Sequence, residues 1–102
     1  MNPLINVATI NQIKFTFDPI KDRTNLSKHG ISLSEAKFLE WDEALSWTNN
    51  RKDYGEIRQV SLVPMQQRLY CAVYVDLKIN RRMISLRKAN NREIDRYEKE
   101  IN

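Results

Sequence analysis

Glycine, histidine and cysteine are scarce in this 102-residue chain: two glycines, Gly30 and Gly55, one histidine, His29, and one cysteine, Cys71. Two glycines so far apart build neither a dinucleotide-binding fingerprint nor a P-loop, since both need clustered glycines to bring backbone N–H groups onto phosphate. Those motifs are excluded, and no cofactor is expected. One histidine and one cysteine fall short of the three or four His/Cys ligands of an ordinary zinc site, and a disulfide within the chain is impossible. Long hydrophobic runs are missing too. The longest, Leu69 to Val75, is far below the ~20 residues of a membrane span, and the N-terminus shows no basic segment followed by an apolar stretch. No membrane partner is expected, and a reducing cytoplasm is the expected location.

What is present is ordinary for a globular protein, with 41% hydrophobic and 29% charged residues. A chain of this length buries roughly 60 to 70% of its unfolded surface, enough for one core. Residues 1–12 show no periodicity and are expected to form an irregular leader to a single domain over 13–102. In Ile13 to Phe17 apolar and polar residues alternate as in a half-buried strand. Asp18-Pro19 then signals a helix start, Asp as N-cap and Pro as first helical residue, and Gly30 after Lys28-His29 signals its end. Ser32-Leu33-Ser34-Glu35 reads as a capping box opening a second, short helix.

From Ala44 the pattern turns to β: Ala44 to Thr48, Glu56 to Val63 closed by Pro64, Leu69 to Asp76, and Arg81 to Lys88, with a polar loop over Asn49 to Gly55. In the third of these, Leu69, Cys71, Val73 and Val75 form one face and Tyr70, Ala72 and Tyr74 the other, more polar one. Asn90 or Asn91 caps a last helix whose apolar stripe is Ile94, Tyr97 and Ile101. The order β-α-α-β-β-β-β-α, without regular alternation, indicates an α+β domain with helices packed on a largely antiparallel sheet.

The net charge of +4 is unevenly spread. Residues 57–92 carry eight basic side chains and one acidic; the segments before and after are slightly acidic. Arg58, Arg68, Lys78, Arg81, Arg82, Arg87 and Lys88 fall on strands, where a cluster of guanidinium forks can track phosphates. The plainer reading is a set of solvated strand positions. Tyr70 and Tyr74 beside the arginines would offer stacking surfaces for bases. Arg82 and Arg87 differ in strand parity, so both reach one face only if a bulge or strand end intervenes.

The same residues carry a family pattern: Phe15-Thr16-Phe17-Asp18-Pro19, Asn25, Lys28-His29-Gly30-Ile31-Ser32, Glu35-Ala36, Gly55-Glu56-x-Arg58, Val73-Tyr74, Arg82-Met83-Ile84-Ser85-x-Arg87-x-Ala89, Glu93 and Tyr97. In this order, over about Ile13 to Glu98, they resemble the BrnT toxins. The resemblance implies a small RelE-like domain and the toxin of a type II toxin–antitoxin pair. It implies a ribonuclease that arrests translation, neutralised by a ribbon-helix-helix antitoxin, with operator DNA bound only through the antitoxin complex. The chain departs from the family pattern at Ser61-Leu62-Val63-Pro64, at Leu86 and at Ile94.

RNA is cut without metal when its 2′-hydroxyl attacks the adjacent phosphate, which needs a base, an acid for the leaving 5′-oxygen, and cations for the phosphorane charge. Arg58 and Arg87 are the first candidates for the phosphate clamp, with Arg82 third. Glu56 shares a strand face with Arg58 and is either a base held by that arginine or one half of a structural ion pair. His29 is a proton shuttle or a helix-end cap. Tyr97 donates a proton, stacks a base or packs in the core. Lys28, Tyr74, Lys88 and Arg81 are candidates for substrate binding. Cys71, on the apolar face, is a packing residue.

Overall fold

The computed structural model describes residues 13–49 and 55–101; the expected leader over 1–12 and most of the expected loop over Asn49 to Gly55 lie outside the described residues. Strand β1 (Lys14–Thr16) leads into helix α1 (Pro19–His29), two 3-10 helices (Leu33–Phe38 and Trp41–Glu43), strands β2 (Leu45–Asn49), β3 (Arg58–Met65), β4 (Arg68–Asp76) and β5 (Asn80–Lys88), and helix α2 (Asn91–Ile101). The sheet order is β1-β5-β4-β3-β2. β2 to β5 form an antiparallel meander, and β1 adds in parallel to β5. This is the expected α+β class.

Local chemistry sets the limits of α1. The Asp18 carboxylate accepts from the Ile20 N–H at 2.8 Å, and Gly30, in the left-handed region at φ 72°, donates its N–H to the Leu26 carbonyl at 2.9 Å. Only Asn25 of this helix is buried. Its side-chain amide donates to the Ile31 and Leu86 carbonyls, each at 2.8 Å, and its oxygen accepts from the Leu86 N–H at 3.1 Å. An in-sequence polar residue thus fastens α1 to β5 beyond the short reach of β1.

The segment after Ser32 is a 3-10 helix rather than the α-helix expected. Asp22 of α1 accepts both the Ser32 hydroxyl at 2.9 Å and the Leu33 N–H at 2.7 Å, so the segment's start is tied to α1 and not to Glu35. Leu33, Ala36 and Leu39 are spaced by three. In a helix of three residues per turn they align on one side, and all three are buried.

Pro64 does not end β3, which continues to Met65. The Pro64 carbonyl accepts from the Glu40 N–H at 2.9 Å, on the side away from β4 and past the end of β2. The missing N–H therefore costs no ladder bond. The following turn, Gln66-Gln67, has φ 51° and 65°, an arrangement usually given to Asn-Gly.

The main core lies between the sheet and the 3-10 segment: Leu33, Ala36 and Leu39 pack with Val63, Ala72, Tyr74, Met83 and Leu86. Tyr70, Ala72 and Tyr74, expected on a polar face, therefore point into the larger core. Tyr74 is 3% exposed, its hydroxyl within 2.6 Å of the Ser61 hydroxyl, which is itself 2.7 Å from that of Ser46. The opposite face holds a smaller cluster of Val60, Leu62 and Cys71, with Trp47, Val73 and Tyr97 packed against it. With both faces covered, β4 reads as an almost continuous apolar run.

Helix α2 crosses the smaller face, but its expected core stripe is only partly used. Ile94 and Ile101 remain exposed and no residue of α2 is buried. Polar contacts hold it instead: the Tyr97 hydroxyl donates to the Glu43 carbonyl at 2.7 Å, and the Arg96 guanidinium lies 4.0 Å from the Trp47 ring centroid. Among the described residues no helix is long and apolar enough to cross a membrane.

Candidate functional site

The β4–β5 register runs Val73↔Ser85 and then Tyr74↔Met83, so Ile84 is an extra residue on β5. This bulge resolves the parity conflict between Arg82 and Arg87. Arg87 pairs with Cys71 and Arg82 with Val75, and Cys71 and Val75 share a face of β4. Arg58 has the strand parity of Val60 and Leu62, which lie on that same side. Extending the β3–β4 register by one step sets Arg58 opposite Val75, so Arg58 and Arg82 flank one position while Arg87 stands four residues away along β4, about 13 Å. Three guanidinium groups thus border one face, around a floor of Val60, Cys71 and Val73.

Arg87 is held by Glu93 through two parallel bonds of 2.9 Å. The same carboxylate accepts the Asn90 N–H at 2.9 Å while Asn90 Oδ1 accepts the Glu93 N–H at 2.9 Å, closing a capping box at the start of α2. Hydrogen bonding from Arg87 holds the Glu93 carboxyl below its usual range, and Glu93 in turn raises Arg87. Cys71 lies beside this pair. Burial pushes its thiol up to about 11, with Arg87 opposing, so it is a neutral packing group at physiological pH.

Glu56 is on the same side, but its partner is Arg82, at 2.6 Å, and not Arg58 as expected. It precedes β3, whose first residue is Arg58, so the carboxylate is free to reach β5. Tyr97 packs against this face as well. Burial first, then Glu43 and Glu40, raise its phenol above the usual value. Together these groups place cations, a carboxylate and a protonated phenol on one side of the sheet, a set able to hold a phosphodiester and move a proton.

The remaining expected residues lie elsewhere. Arg81 has the parity of Met83 and is on the main-core side, 4.2 Å from the Tyr74 ring centroid and 4.7 Å from that of Trp41, with Asp76 accepting from it at 2.6 Å. Tyr74 and Arg81 form part of a structural stack and not an exposed surface. Lys28 and His29 are exposed in the last turn of α1. His29 and Lys88 line a cleft of about 450 Å³ with Glu35, Gln66 and Tyr70. Tyr70 pairs with Lys88 across β4–β5, back to back with Cys71 and Arg87. Glu93 is a site residue that the strand pattern does not mark, although Asn90-x-x-Glu93 before a helix is a readable capping signal.

Residues 17–93 match the family model described as the ribonuclease toxin, BrnT, of type II toxin–antitoxin systems. The fold is similar to that of the crystal structure of the Brucella abortus ribonuclease toxin, BrnT, with a TM-score of 0.62 and 19% identity over 78% of this chain and 100% of that one. No curated protein matches the chain. With its family pattern spanning both helices' anchoring residues and the arginine-lined face, the chain belongs to the BrnT family of ribonuclease toxins of type II toxin–antitoxin systems.

Proposed function

We propose that this toxin is an endoribonuclease that cleaves RNA in the cytoplasm by attack of the 2′-hydroxyl on the adjacent phosphate, and so inhibits translation. The observation that carries this reading is the placement of Arg58, Arg82 and Arg87 along one sheet face, made possible by the Ile84 bulge. Arg87 and Arg58, spaced along the face, bind phosphates of the RNA strand, and Arg87 stabilises the phosphorane. Arg82 holds Glu56, whose carboxylate takes the 2′-hydroxyl proton, and Tyr97, kept protonated by its surroundings, supplies the proton to the leaving 5′-oxygen. No step needs a cofactor.

The partner is a ribbon-helix-helix antitoxin, and operator DNA is bound only through that complex; membership of a type II toxin family supports an antitoxin partner. The test uses purified, antitoxin-free protein. RNA cleavage in EDTA that disappears in Arg87→Ala and on adding antitoxin supports the reading. Salt-sensitive binding without cleavage, with and without ribosomes, overturns it in favour of a binding module.

A further inference from the structure

The cleft between the end of α1 and the β3–β4 hairpin lies on the sheet face opposite the three arginines, and none of that chemistry uses it. Two unusual backbone features build it. The left-handed Gly30 turns the chain after His29, and the left-handed Gln66 projects from a hairpin turn made without glycine. A non-glycine residue in that region costs about 1 kcal/mol or more, a strain that persists at ligand sites more often than elsewhere. Between them stand Tyr70, Lys88 and Glu35. Among the described residues, no hydrogen bond or ion pair occupies the side chains of His29, Glu35, Gln66, Tyr70 or Lys88. The arginines Arg81, Arg82 and Arg87, by contrast, are each matched to a carboxylate. The cleft's volume, about 450 Å³, lies in the range of ~300–1,000 Å³ common for small-ligand sites.

We propose that this cleft binds one guanine base of the RNA substrate, next to the nucleotide whose phosphate lies at Arg87. An aromatic ring, a lysine, an imidazole, an amide and a carboxylate are what an unstacked nucleotide needs: a stacking surface, a phosphate contact and base-edge partners. The carboxylate decides which base. Glu35 only accepts, and guanine's Watson–Crick edge presents adjacent N–H donors, whereas Gln66 can donate to its O6. Lys88 and Arg87 are consecutive on β5 with side chains on opposite faces at the strand's end, so an RNA strand turning over that end meets both. The proposal rests on the ribonuclease reading above and adds a specificity site to it.

Two variants leave the packing intact. Glu35→Gln replaces an acceptor oxygen by a donor on a side chain without bonds, and Gln66→Gly removes the amide while relieving a strained turn. The first measurement is NMR titration of the full-length protein with the dinucleotides GpU and ApU, and the second is the cleavage map of a structured RNA. GpU should shift the amides of Gly30, Glu35 and Gln66 and bind at least about tenfold tighter than ApU, as one bidentate base contact provides. Both variants should lose that preference and cut with weaker selection for guanine.

Equal binding of the two probes, shifts confined to the arginine face, or an unchanged cleavage map in Glu35→Gln would each overturn the proposal. Capture of an acidic antitoxin segment that competes with GpU only through Lys88, with no base preference, would overturn it as well. If the protein cuts no RNA yet still prefers GpU in this cleft, the ribonuclease reading fails and the guanine site stands.

Discussion

Arg87 and Glu93 join the end of β5 to the first turn of α2 through two parallel N–H···O bonds of 2.9 Å, and the same Glu93 carboxylate also closes the helix cap on Asn90. The guanidinium is therefore oriented by a helix terminus and not by its own strand. Side-chain entropy that a free arginine would lose on binding phosphate is already lost in the folded protein.

Arg87→Ala should lower the cleavage rate about 10²- to 10³-fold, the usual loss for one electrostatic donor to a developing anion. Arg87→Lys should recover only part of it, because a point charge cannot replace the planar fork. Single-turnover kinetics on a defined RNA, with circular dichroism to confirm folding, checks both.

Glu93 also predicts a pH dependence. Its carboxyl is held below the usual range by Arg87, so its contribution to stability is present above the unfolded-state pKa and is lost as pH falls through the lower, folded-state value. Glu93→Gln should cost about 2 kcal/mol near pH 7, from the cap and the charge-assisted bonds together. Urea midpoints of wild type and variant should converge once the pH is well below 4.

The parts of the fold that follow local rules are legible in the sequence. Asp18, Pro19 and Gly30 mark α1 because caps and left-handed turns depend only on neighbours within a turn of helix. The segment after Ser32 differs because Asp22, ten residues upstream, accepts the Ser32 hydroxyl and the Leu33 N–H, a contact that no local pattern shows. Tyr74 looked polar and exposed, since its hydroxyl's partner, Ser61, lies on another strand. The same limit applies to the site. Arg82 and Arg87 could be named from sequence, along with the need for a bulge between them, but its position at Ile84 comes from the register of β4. Equally, alternation in a single strand does not show that Lys88 and His29 share a cleft behind the arginine face.

Asn25 tests how α1 is fastened. Asn25→Ala leaves the buried Leu86 N–H and carbonyl and the Ile31 carbonyl without their side-chain partners, which should cost about 3 kcal/mol. Asn25→Asp should also destabilise, because a carboxylate keeps the acceptor for Leu86 N–H but loses both donors. Chemical denaturation measures the loss, and hydrogen exchange should show the Leu86 amide opening first.

Tyr97 anchors α2 and is the proposed proton donor, and Tyr97→Phe separates the two roles. The lost bond to the Glu43 carbonyl should lower stability by about 1 kcal/mol near neutral pH. Because burial, with Glu43 and Glu40, raises the phenol's pKa, its stabilising contribution is present below the unfolded-state value and is lost as pH rises through the folded-state one. Wild type should therefore weaken above about pH 10, by more than the phenylalanine variant does. If Tyr97 also protonates the leaving oxygen, cleavage at pH 7 should fall by about 10² or more in the variant, on RNA lengths that bind unchanged. A rate reduced by less than about threefold, alongside the stability loss, would leave Tyr97 as an anchor and assign the proton transfer to water.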